Sequence, residues 1–185
     1  MAKKTFPIVE VTLEKIVGGG QALGTLEDGR KVFVWGGLPD ETVRVQINKK
    51  KSSYAEGVVV EVLKASPDRV APKDPNSFLS TSPWQIMSRE TENHYKSALI
   101  EEAFELHDLV LPAAITVYDD ERDYGYRNKV EFSFWHDTDT DTVSLAFFRR
   151  GTHGKITVDG TSLAADVINE KGRQVLTVLN ELGIQ

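Results

Sequence analysis

Two stretches of this chain join aromatic residues to positive charge. One is Tyr124-Gly125-Tyr126-Arg127-Asn128-Lys129-Val130-Glu131-Phe132; the other, some twenty residues on, is Phe147-Phe148-Arg149-Arg150-Gly151-Thr152-His153. A third cluster, Lys49-Lys50-Lys51, stands just before Tyr54. Cations attract phosphates without regard to sequence, and unpaired bases stack on aromatic faces. Arginine forks match phosphate oxygens bidentately. Residues two apart on a strand face one side, so Arg127 and Lys129 are expected to point together, near Tyr124 and Tyr126. The expected contact residues are Lys49, Lys50, Lys51, Tyr54, Tyr126, Arg127, Lys129, Arg149, Arg150 and His153. Each cluster also has a plainer reading. The lysines suit a solvated hairpin loop, Arg127 and Lys129 could pair with Glu131 or the acids of 119–123, and Arg149 and Arg150 could simply end a strand.

Catalytic and metal chemistry find little support. The chain has no cysteine, which excludes disulfides, thiolate zinc sites, iron–sulfur ligation and a Cys nucleophile within these residues. Gly18-Gly19-Gly20 lacks the Lys-Ser/Thr of a phosphate loop. His94, His107 and His136 have no ligand-like spacing, and no nucleophile or second acid lies near His153 in sequence. Asp137, Asp139 and Asp141 begin like a calcium loop but lack its later glycine and glutamate, so a solvated acidic turn is expected. The net charge of −6 argues against indiscriminate nucleic-acid binding. Its distribution is uneven: residues 1–64 carry +2 and residues 65–185 carry −8. No signal peptide or membrane-spanning run appears, and a cytoplasmic location is expected.

These side chains must be held by a mainly β framework. Residues 8–14 alternate apolar and polar, the period of a half-buried strand. Ala22 to Leu26, the Asp28-Gly29 turn and Lys31 to Trp35 read as a hairpin. Glu41 to Ile47 and Tyr54 to Leu63 read as further strands, with Lys49–Ser53 as a basic loop between them. Five short antiparallel strands with glycine turns suggest a small closed barrel over residues 1–64. Three prolines mark residues 65–78 as a linker. Residues 79–185 read as a small α+β domain with an antiparallel sheet. Its helix falls within 84–107, N-capped by Ser88; its strands run from Ile115 to Tyr118, Asn128 to His136, Val143 to Arg149 and Lys155 to Val158. An amphipathic helix from Ala164 to Leu182 closes it.

The ordered motifs resemble a known family. Val17–Gly24, Asp28–Val34 and Gly37–Val43 look like a TRAM domain, the small OB-like β-barrel of RNA-modifying enzymes. Ser66–Pro72, Pro83-Trp84-Gln85 and Tyr124–Phe132 look like the central domain of the RNA (uracil-5-)methyltransferases. The resemblance implies S-adenosylmethionine as cofactor in a catalytic domain expected beyond residue 185. It implies ribosomal or transfer RNA as partner, with neither DNA nor membrane expected. In many such proteins cysteines hold a [4Fe–4S] cluster in the central domain. By resemblance their positions fall on Asp74, on Leu79-Ser80-Thr81-Ser82 and near Thr161, so a cluster-free branch is expected, its loop held by hydrogen bonds and apolar packing. The expected role is RNA recognition without activity in these 185 residues; the alternative is a non-enzymatic RNA-binding or assembly module.

Overall fold

Valine and isoleucine alternate with polar residues along the first sixty positions, and the computed structural model describing residues 6–152 and 154–184 turns that alternation into a closed barrel. Its strands are β1 (Ile8–Val17), β2 (Gln21–Thr25), β3 (Lys31–Trp35), β4 (Thr42–Lys50) and β5 (Tyr54–Lys64). They run in the order β1-β2-β3-β5-β4, and β4 returns to pair with β1. The inward residues Val11, Leu13, Val32, Val34, Val43, Val45 and Ile47 are buried. In β1 the register shifts between Leu13 and Lys15. That bulge transfers the buried position to Ile16, which strict alternation would leave outside. Gly57 marks a close approach between β5 and β4: a Cβ there would lie 2.4 Å from Val45 Cγ1 and 2.7 Å from the Gln46 carbonyl oxygen.

One pairing departs from the all-antiparallel expectation. Strand β3 pairs with β5 in parallel, Lys31 opposite Tyr54 and Trp35 opposite Val58. The link from β3 to β4 crosses the barrel end, so β3 meets β5 rather than its neighbour in sequence. That crossing is anchored by Glu41, which is fully buried. Its carboxylate accepts from the Leu38 and Ser66 backbone N–H groups, at 2.9 and 3.2 Å. It also accepts from Arg69 Nε and Nη2, at 2.5 and 2.7 Å, and Arg69 Nη2 donates to the Gly36 carbonyl at 2.9 Å.

The chain divides into two compact units, each made of two stretches: residues 1–71 with 83–118, and 72–82 with 119–185. The proline-bearing stretch is therefore shared, with the cut between Ala71 and Pro72. In the first unit, Val70 N–H donates to the Ile86 carbonyl, and Trp84 Nε1 donates to the Gly20 carbonyl at 3.1 Å. Helix α2 (Arg89–Glu105) follows, and Ser88 accepts from the Thr91 N–H as its N-cap with Glu90 and Glu92 in the first turn. Tyr95 and Leu99 of α2 pack against the barrel core, which explains why this helix belongs with the barrel. Among the described residues no helix is long and apolar enough to cross a membrane.

The second unit contains the short helix α1 (Phe78–Thr81) and an antiparallel sheet of β6 (Ser133–Asp137), β7 (Thr142–Phe148) and β8 (Lys155–Thr157). Helix α3 (Asp166–Glu181) covers one face. There Asn180 Oδ1 accepts from Val143 N–H at 2.8 Å, and its Nδ2 donates to the Val143 carbonyl at 3.0 Å. The fold is thus mainly β, a five-stranded barrel followed by a smaller α+β part. Two strand expectations are corrected. Residues 115–118 form no strand, and the expected strand from Asn128 begins only at Ser133. The preceding stretch is drawn elsewhere: Gly125 N–H donates to Ser162, Arg127 N–H to Leu163, and the Arg127 carbonyl accepts from Ala165 N–H.

Removing one partner of a buried pair strands the other charge. Arg69→Ala is expected to lower unfolding stability by about 3–5 kcal/mol, read from denaturant melts followed by fluorescence. Gly57→Ala is expected to cost about 1–3 kcal/mol, because the new Cβ would meet both Val45 Cγ1 and the Gln46 backbone oxygen.

Candidate nucleic-acid interface

On the barrel, the strand ladder carries the basic cluster further than its composition suggests. Lys49 and Lys50 are the last residues of β4, paired with Glu56 and Ala55, and only Lys51 to Ser53 form the turn. The expected basic loop is therefore shorter by two lysines. The hairpin closes through Lys51 N–H donating to the Tyr54 carbonyl at 2.8 Å. Lys49 is spent across the strands: its Nζ lies 2.6 Å from Glu56 Oε1 and 5.5 Å from the Tyr54 ring centre. The hydrogen bond to Glu56 is the main cause that holds the Lys49 ammonium above its usual range. Tyr54 stands edge-on to Phe33, at 5.7 Å.

Lys50 faces a groove of about 410 Å³ bounded by the start of β1, the β2–β3 hairpin and the β4–β5 turn. Its apolar floor includes Ile8, Leu26 and Ala55. Arg30 lines it too, and nothing in its sequence context marks it beyond its place after the Asp28-Gly29 turn. Arg30 is held by Asp28 and donates from Nη1 to the Lys51 carbonyl at 3.0 Å. The Arg30 hydrogen bonds hold the Asp28 carboxyl below its usual range. Lys50 and Lys51 make no side-chain ion pair with the described residues and are exposed.

In the second unit the arginines separate from the lysine. Helix α1 is one turn long, so its last carbonyls lack helical partners. Arg127 Nη2 donates to the Thr81 carbonyl at 3.3 Å and Arg150 Nε to the Leu79 carbonyl at 2.6 Å. Both guanidiniums sit where a helix end favours positive charge. Arg150 is half-buried, and desolvation pushes its pKa below the usual value. Arg127 also lies 6.0 Å from the Tyr126 ring centre. Lys129 is exposed and makes no ion pair with the described residues. With residues 128–132 outside any strand, Arg127 and Lys129 do not share a strand face as expected. Arg149 is exposed; its Nε donates to the Lys155 carbonyl at 3.2 Å. His153 lies outside the described residues.

Two of the positions that the family resemblance gives to cluster ligands, Asp74 and Thr161, meet within this unit. Asp74 Oδ2 accepts from Thr161 Oγ1 at 2.8 Å, and both its oxygens accept from Ser162 N–H, at 3.1 and 3.0 Å. Asn169 holds the Thr161 backbone at both N–H and carbonyl. No side chain among Asp74, Leu79–Ser82 and Thr161 is a thiolate, and the carboxylate is already engaged by donors. These residues do not fit an iron–sulfur cluster. A hydrogen-bonded clamp occupies the place instead.

The TRAM domain family model matches residues 3–60, the stretch that forms most of this barrel. The whole chain is similar to longer proteins. It is 27% identical to an uncharacterized RNA methyltransferase of Fusobacterium nucleatum, over 96% of this chain and 38% of that protein. It is 28% identical to the 23S rRNA (uracil(1939)-C(5))-methyltransferase RlmD of Shewanella amazonensis, over 98% of this chain and 41% of that one. In structure it resembles the Pyrococcus abyssi tRNA (uracil-54, C5)-methyltransferase solved with S-adenosyl-L-homocysteine. That likeness has a TM-score of 0.62 and 14% identity, covering 94% of this chain and 37% of the other. Residues 3–60 thus match a TRAM domain, and along its length the chain is similar to RNA methyltransferases, of whose length it spans about two fifths.

The clamp assigns structural roles that substitution will separate from binding roles. Asp74→Ala removes a charged acceptor from two donors and is expected to destabilise the second unit by about 1.5–3 kcal/mol or more. Hydrogen exchange of the Ser162 and Leu163 amides would register the loss.

Proposed function

We propose that this chain is the RNA-recognition part of an S-adenosylmethionine-dependent RNA (uracil-5-)methyltransferase acting on ribosomal or transfer RNA in the cytoplasm. The observation that carries the reading is the set of exposed cations that make no ion pair with the described residues, Lys50, Lys51, Lys129 and Arg149, on units whose relatives are RNA methyltransferases. By the family resemblance a cysteine attacks the uracil ring; this chain has none, so the methyl-transfer chemistry is assigned to residues outside these 185. The barrel, over residues 1–64, grips the RNA backbone beside its groove. The central part, over 79–185, positions the RNA through Lys129 and Arg149. Arg127 and Arg150 support those surfaces through backbone carbonyls, Lys49 pairs with Glu56 across the strands, and Tyr54 and Tyr126 offer aromatic faces beside them.

The test is RNA affinity as a function of salt. Affinity is expected to fall as salt rises, and Lys50→Ala with Lys51→Ala is expected to reduce the log–log slope by about two, one per lost phosphate contact. Lys49→Ala should change it less, since Lys49 is already paired. Salt-independent binding, or none to any ribosomal or transfer RNA fragment, would overturn the proposal. With a radiolabelled methyl donor, the 185 residues alone are expected to transfer nothing to RNA.

A further inference from the structure

The small sheet of the second unit has a second face that helix α3 does not cover. Trp135 lies opposite Ser144, and Phe148 lies opposite Lys155. Ser144 and Phe148 are four apart on β7, so Trp135, Phe148 and Lys155 share one side of the sheet. The opposite side carries Val143, Leu145 and Phe147, all buried. The outer rings remain in water: Trp135 is 46% exposed and Phe148 is 63% exposed. Between them stands a cation. Lys155 Nζ lies 5.0 Å from the Phe148 ring centre and 5.7 Å from that of Trp135, and donates to the Phe134 carbonyl at 3.2 Å. A second cation, Arg149, follows Phe148 directly and holds the Lys155 carbonyl. The neighbouring acid, Asp137, turns its carboxylate to the Asp139 N–H within its own turn.

Large exposed aromatic rings gain nothing for the core. A cation held there by two ring faces and one carbonyl has no carboxylate partner among the described residues and is only modestly held. A flat π-system can take the ring face while the ammonium turns to an anion. One ligand carries both groups, a nucleotide with an unpaired base. The geometry points to Trp135, Phe148 and Lys155 as a stacking platform for an unpaired RNA nucleotide, the base on the rings and its phosphate on Lys155 and Arg149. This rests on the RNA reading above and adds a contact that reads unpaired bases rather than backbone charge alone. Stacking of this kind accepts any base, so the platform selects single-stranded or flipped-out nucleotides over duplex.

The experiment uses the full 185-residue chain and fluorescence anisotropy with a labelled single-stranded oligouridylate, beside an abasic oligomer of equal length. Trp135→Ala and Phe148→Ala are each expected to weaken oligouridylate binding by about 5- to 150-fold, the equivalent of one lost stacked base. Trp135→Tyr should retain most of the affinity, and the abasic oligomer should bind all four proteins alike. Thermal melts report folding, and Phe148, the more exposed ring, supplies an independent variant should Trp135→Ala unfold. If the native chain binds oligouridylate and both alanine variants bind it equally well, the platform is overturned while RNA recognition stands, and the surface belongs to another kind of partner. Equal losses on the abasic oligomer overturn it too, since the effect is then not stacking. If the native chain binds no RNA at all, the platform and the RNA reading fall together.

Discussion

The buried ion pair of Glu41 and Arg69 is the constraint on which the first unit depends. A carboxylate with no solvent exposure pays a large desolvation cost, which only several good donors offset. Glu41 has four, two from backbone N–H groups and two from one guanidinium. The donors come from places distant in sequence: the turn before β4, and the segment after β5. The pair therefore ties the crossing that makes β3 and β5 parallel neighbours to the chain leaving the barrel. Residues 66–70 are then set against 84–87, and Trp84 is brought to the Gly20 carbonyl. A stretch that composition marks as a linker is thus part of the barrel's support.

This explains what the sequence disclosed and what it withheld. Period-two alternation exposes strands directly, because burial alternates with the pleat; Val43, Val45 and Ile47 show it. The N-cap of α2 is equally local, a serine followed by acids in the first turn. Long-range pairing leaves no such local trace. The parallel β3–β5 ladder and the union of α2 with the barrel are decided by partners tens of residues away. The stretch around Tyr126 shows the same limit. Its aromatic β-formers read as strand, yet its backbone bonds go to residues 162–165 rather than into the sheet.

The cations carry a second ambiguity, one of roles. Lysine and arginine count equally in a charge census, but their hydration differs. A guanidinium sheds water more readily and offers a planar fork, so it serves half-buried carbonyls. Arg127, Arg150 and Arg69 all do so. The ammonium groups of Lys50, Lys51 and Lys129 stay in water. Composition marks where aromatic and basic residues cluster, but only the geometry separates the cations that bind backbone carbonyls from those that face outward. Trp135 and Lys155 escaped the sequence reading for a related reason. They lie twenty residues apart and become neighbours only through the β6–β7–β8 meander.

The clamp at Asp74 joins stretches of the second unit that lie far apart in sequence. Asp74 and Thr161 are 87 residues apart, so joining them closes a long loop whose entropy cost must be met by local bonds. A charged acceptor shared by a hydroxyl and a backbone N–H meets it in part, and the Asn169 amide fixes the Thr161 backbone from the other side. The two arginines on the α1 carbonyls hold the same segment from a third direction. Oxygen and nitrogen donors of this kind bind no soft metal cluster. They do hold residues 72–82 to the rest of the unit with ordinary hydrogen bonds, which makes the cysteine-free sequence and its packed fold mutually consistent.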